Sequence, residues 1–230
     1  MALKEERNAI LFVLLFLHRS GEEWRRSQQT SGTTAAINVA MGGFNAITNR
    51  DLERYILFRD IKGRFESDEV IYVRPPAKEE NTAWALWCRW DFAGDSAKCG
   101  FYLGTWWRTR MRTLCTGSCE EGIAFVGYRY ETPEQGNNHN YFHVQPCRSM
   151  GDRDQKVPQA LPAHERNPTW PLAANTALDL LLCVVTSLYG MSGLKKLQDE
   201  VEESTAFRRN RQLLDSVKRL RKACGVRRGE

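Results

Sequence analysis

The sequence of 230 residues contains no internal repeat, no low-complexity tract, no regular cysteine framework and only four histidines. Without a repeat there is no solenoid or array to consider, and without a biased tract no composition keeps a long segment from packing. Seven cysteines is an odd number without a disulfide spacing, which suits a reducing cytoplasm better than a cross-linked scaffold. The N-terminal apolar run is short. The run Ile10 to Leu17 has about eight residues, where a bilayer-crossing helix needs roughly twenty, so no membrane span is expected of it. Glu5 and Glu6 precede it and no small-x-small cleavage site follows. It therefore reads as the buried turns of a first helix and not as a secretory leader.

What is present is ordinary in bulk and uneven in detail. Apolar residues make up 42% and charged residues 27%, a globular balance that excludes wholesale disorder. The reading is a single α+β domain over 1–230: a helical part over 1–65, an antiparallel sheet over 70–147, and C-terminal helices over 174–224 packed on one face. Seven tryptophans add weight to a binding face. A net charge of +5 and a pI near 8.9 favour an acidic partner such as nucleic acid.

Taken in order, residues 3–28 read as a helix, charged at both ends and apolar between. Thr33 to Ile47 is small, apolar and Gly-containing, a weak helix or a packed loop. Thr48 or Asn49 caps a predicted helix from Arg50 to Lys62, stopped by Gly63. From Val70 the texture becomes β-rich. Val70 to Arg74, Ala83 to Phe92, Cys99 to Arg108, Ile123 to Tyr130 and His139 to Gln145 are predicted strands, giving a central antiparallel meander of four to five. Ala83 to Phe92 alternates well, with Trp84, Leu86, Cys88 and Trp90 on a core face and Trp87, Arg89 and Asp91 on the other. Pro158 to Pro171 is irregular. Asn175 or Thr176 then caps an all-round apolar, buried helix to Tyr189, stopped by Gly190, and helices follow over Leu194 to Glu203 and Ser204 to Ala223.

The densest chemistry lies between Gly127 and Gln145. If Phe142 and Val144 face the core, His139, Tyr141, His143 and Gln145 take the opposite face. By the same parity Tyr128 and Tyr130 face the core, and Arg129 and Glu131 join the histidines. Such a face, with Arg89 and Trp87 from the earlier strand, can hold a phosphate and move protons at neutral pH. His139 or His143 would be the general acid or base, Glu131 the orienting or second acid-base group, and Arg129 and Arg89 the phosphate-binding pair. The competing reading is a polar hairpin whose charges pair with one another.

Cys115, Cys119, His139 and His143 are also the donor types of a tetrahedral zinc site. Extended strand geometry sets the two histidines about 13 Å apart, which opposes that set. No cofactor is therefore expected, with zinc the alternative. Trp107, Arg108, Arg110 and Arg112 mix aromatic and cationic groups as single-stranded nucleic-acid surfaces do. The basic, amphipathic C-terminal helix could dock on a partner protein.

The run Tyr128-Arg129-Tyr130-Glu131, the histidines 139 and 143, and the apolar helix ending Ser187-Leu188-Tyr189-Gly190 resemble bacterial proteins of toxin-antitoxin and phage-defence neighbourhoods, in which a YRY-type strand precedes a histidine-rich one. Helices leading into an antiparallel sheet are similar in outline to the small ribonuclease toxins. The resemblance implies a cytoplasmic defence- or conflict-associated protein that binds or cleaves nucleic acid, with metal-independent phosphodiesterase chemistry. A non-catalytic interaction subunit and a zinc module or zinc hydrolase are the other expectations.

Overall fold

A computed structural model describes residues 2–28, 45–46, 64–66, 69–76, 82–91, 98–112, 119–133, 141–147, 170–205 and 210–224. The chain opens with helix α1 (Ala2–Gln28). Strands β1 (Asn45–Ala46), β2 (Arg64–Glu66), β3 (Glu69–Val73), β4 (Thr82–Asp91), β5 (Lys98–Arg112), β6 (Cys119–Glu131), β7 (His143–Cys147) and β8 (Trp170–Pro171) follow. Helices α2 (Ala177–Glu203) and α3 (Arg211–Ala223) close the described part. The sheet order is β1-β3-β4-β5-β6-β7-β8, with β2 also paired to β4. From β3 to β8 every neighbouring pair is antiparallel, and only the β1–β3 pairing is parallel.

This is the α+β class expected, with more strands than four to five. The extra ones, β1, β2 and β8, have only two or three residues each, too few to leave an alternating pattern. Helices α1 and α2 pack on the sheet, and α3 packs on those two helices. Ile71, Val73, Leu86, Cys88, Phe101, Leu103 and Tyr130 belong to one buried cluster with Ile10, Leu14 and Leu17 of α1, Leu178 to Leu182 of α2, and Leu213 and Val217 of α3. Tyr130 reaches through to α2, where its hydroxyl donates to Ser187 Oγ at 3.0 Å. Where α1 crosses β3, Gly21 lies so close to the backbone of Tyr72 that any Cβ would run into its carbonyl oxygen.

The helices are joined by a polar latch that the sequence did not announce. Thr176 caps α2 by accepting from the Asp179 amide at 3.1 Å, and the Asp179 carboxylate accepts in turn from the Asn175 amide at 2.9 Å. Arg219 of α3 donates to both oxygens of the fully buried Asp179, at 2.6 and 2.8 Å. Glu6 of α1 lies at the same helix end and accepts from the Leu178 amide at 3.4 Å. Burial pushes its carboxyl above the ordinary value, although the Leu178 and Ala177 amides pull it down.

Gly190, at φ 63°, interrupts α2 as expected, and the chain resumes helix at once. By length and composition α2 is the one helix among the described residues that could cross a membrane, and 61% of its apolar window is buried within the protein. The last helix begins later than predicted. Ser204 ends α2, and Asn210 caps α3 by accepting from the Leu213 amide at 3.0 Å. In the segment Thr33 to Ile47, the described residues Asn45–Ala46 are strand and not helix or loop. The helix predicted over Arg50 to Lys62, Cys115, His139 and the residues 151–169 lie outside the described residues.

Candidate functional site

The face of the sheet turned from the helices carries two rows of side chains. Register sets Arg89 opposite Gly100, Gly100 opposite Glu131, and Glu131 opposite His143. The adjacent row runs Trp87, Tyr102, Arg129, Gln145 across the same four strands. Neighbouring strands are about 4.8 Å apart, so side chains in a row touch without help from loops. The end of β6 is pinned there: the Thr132 amide donates to the Cys99 carbonyl at 3.1 Å, and Thr132 Oγ1 accepts from the Cys99 amide at 3.0 Å.

Glu131 is the hub. Its Oε2 lies 2.9 Å from Arg129 Nε and 3.5 Å from His143 Nε2, and its Oε1 accepts from the Tyr102 hydroxyl at 3.3 Å. Side-chain exposure separates the members: 4% for His143 and 9% for Glu131, against 37% for Arg129. Arg129 is held from a second side by Gln145, whose amide, assigned with its oxygen inward, accepts from Nε at 2.8 Å and also from Nη2. The guanidinium lies 5.9 Å from the Tyr102 ring centre, and Tyr102 meets Trp87 edge-on at 4.4 Å.

His143 has both ring nitrogens engaged. Nδ1 is 2.9 Å from the Tyr141 carbonyl, which can only accept, so Nδ1 carries a hydrogen. Nε2 faces the Glu131 carboxylate. The Tyr141 ring stands 5.6 Å from His143 and is exposed.

The other expected residues fall elsewhere. Arg89 holds a register position in the first row. Trp107 is one position out of phase with Arg108, Arg110 and Arg112, and it is Trp106 that shares their parity with Tyr102. Six residues of strand, about 20 Å, separate Tyr102 from Arg108. The zinc set is not assembled. Cys119 pairs with Arg112 at one end of β6 and His143 with Glu131 at the other, about 40 Å away along the strand. Among the described residues no group of three or more His, Cys, Asp or Glu side chains is placed to share a metal ion. Burial raises the Cys88 thiol and pushes Cys183 up to about 12, which makes these two poor nucleophiles.

Tyr102 belongs to the site and was not singled out from sequence, and Gln145, though placed on this face, was given no role in it. The β5 sequence does not alternate cleanly, so only the pairing with β4 and β6 brings Tyr102 between Trp87 and Arg129. A cavity of about 430 Å³ lies instead in the helical layer, lined by Phe12, Phe16 and Arg19 of α1 and Lys196 and Glu200 of α2. The apolar faces of α2 and α3, expected to dock a partner, are buried against the protein's own core. Comparison with protein-family models, with curated proteins and with solved structures finds no match, so the reading of the site rests on its geometry.

Proposed function

We propose that this protein binds nucleic acid on the polar face of its sheet, with Arg129 as the phosphate-contacting group, in the bacterial conflict or defence setting that its sequence resemblance implies. One observation carries the reading. Arg129, with 37% of its side chain exposed, is the open charged group of a network in which Glu131, His143 and Tyr102 are buried, and Glu131 and Gln145 hold its guanidinium in place. A guanidinium fixed before the ligand arrives loses little rotamer freedom on binding. Trp87 and the exposed Tyr141 offer rings for base stacking on the same face.

Binding is favoured over cleavage because a general acid or base must reach substrate. His143 is buried, with Nδ1 committed to Tyr141 and Nε2 to Glu131. It acts as a positioning group for Glu131, which positions Arg129.

The test is fluorescence anisotropy with labelled single-stranded RNA and DNA at low salt. Arg129→Ala is expected to weaken binding about tenfold or more, the loss of one charge-assisted contact. The oligonucleotides should stay intact. Absence of binding at low salt would sink the proposal, and degradation abolished by His143→Ala would replace it with a hydrolytic one.

A further inference from the structure

The most basic stretch of the sheet lies where β5 outruns β4. Pairing with β4 ends at Trp107, opposite Thr82, whereas pairing with β6 continues to Arg112, opposite Cys119. The last five pairs, from Arg108 with Ile123 to Arg112 with Cys119, form a two-stranded ribbon among the described residues. Alternate residues of a strand share a face, so the parity that includes Tyr102 runs on through Gly104, Trp106, Arg108, Arg110 and Arg112. Successive members are about 6.8 Å apart, and the run from Tyr102 to Arg112 covers about 34 Å. Glu121 is the register partner of Arg110, which leaves the ribbon face with an excess of positive charge.

We infer that this face of the β5–β6 pair is a track for single-stranded nucleic acid, leading from Arg129, at the register of position 102, to Arg112 at the other end. The inference rests on the nucleic-acid reading above and adds the substrate form and the footprint. On this parity Trp106 is an aromatic position beside the cationic ones at 108, 110 and 112, the residue types that stack bases and pair phosphates, while the buried Tyr102 marks the register of Arg129. A duplex keeps its base faces stacked on one another and would leave the aromatic position without a role. At a stacked spacing of about 3.4 Å per nucleotide, 34 Å corresponds to about ten nucleotides.

The experiment is a length series of single-stranded homopolymers, from about 4 to about 16 nucleotides, with a duplex of the longest length beside it. Affinity is expected to rise with length to a plateau near about ten nucleotides. The triple variant R108Q/R110Q/R112Q should lower affinity for the long strands only. It should also reduce the slope of log K against log salt by about 2, at about 0.7 for each lost phosphate contact. Thr109→Gln, of opposite parity, should leave the slope unchanged. If the triple variant does not fold, by circular dichroism, the single R112Q at the ribbon's end should reduce the slope by about 0.7.

A plateau already reached at the shortest strand, with the triple variant binding as the parent while Arg129→Ala weakens binding, overturns the track and leaves the proposed function standing. Tighter binding of the duplex overturns the single-stranded assignment. Failure of every oligonucleotide to bind overturns both readings.

Discussion

Asp179 and Glu131 are both buried carboxylates facing a partly exposed arginine, and their surroundings differ in what else holds the structure together. Asp179 joins α2 to α3, two helices with no backbone hydrogen bonds between them, and Glu6 brings in α1. Glu131 and His143 sit on β6 and β7, which the backbone ladder already ties together. The first carboxylate links helices that no backbone ladder joins, and the second lies between strands that the ladder already pairs. A side chain that the fold does not need for assembly is one that function can occupy.

The contrast is strongest for stability. Asp179→Ala leaves Arg219 facing a buried gap and strips the cap of an acceptor, and should cost about 3 kcal/mol in urea unfolding, reduced from a fully buried pair by the exposure of Arg219. A loss below about 1 kcal/mol would place the two carboxylates in the same class. Glu131→Gln comes next, with about 1–2 kcal/mol lost, since Tyr102 keeps an acceptor while Arg129 loses its counter-charge. Its larger consequence should be in oligonucleotide affinity, because Arg129 is then held by Gln145 alone. Equal losses of stability from both variants, with binding untouched, would break the comparison.

The smallest effect is a pH dependence. The Glu6 carboxyl is raised in the folded protein, chiefly by burial, so its contribution is fully present below the unfolded value of 4.5 and is lost as pH rises through the folded value. The stability advantage of the parent over Glu6→Gln should therefore be greatest in acid and shrink toward neutrality. The opposite slope would mean that the α2 amides, and not burial, govern this carboxyl.

The polar face was legible because strand parity is local. Once Phe142 and Val144 are assigned to the core, the placement of His143 and Gln145 follows, and Tyr128 and Tyr130 do the same for Arg129 and Glu131. What could not be read was everything that depends on partners far along the chain. Tyr102 enters the site through register alone, and the length of the β5–β6 ribbon is invisible in a run such as Trp106 to Arg112 that mixes both parities. The Asp179–Arg219 latch spans 40 residues and two helices, with no periodicity linking its ends. Helix starts were legible where a cap residue precedes an apolar run, as at Thr176. The last helix was expected to start at Ser204, and Asn210 forms its cap.

Glu5 and Asn210 meet through a hydrogen bond from the Asn210 side-chain amide to the Glu5 carbonyl, 3.2 Å long, which puts α1 beside the last helix. This imposes an order on biosynthesis. The apolar flank of α1, with Ile10, Leu14 and Leu17, emerges from the ribosome first, and its partners on α2 and α3 emerge last. Roughly 150 residues must be translated in between, on the order of 10 s at about 5–20 residues per second. The contacts of α1 with β3 can form early in that interval, whereas the flank that meets α2 and α3 has to wait until its end.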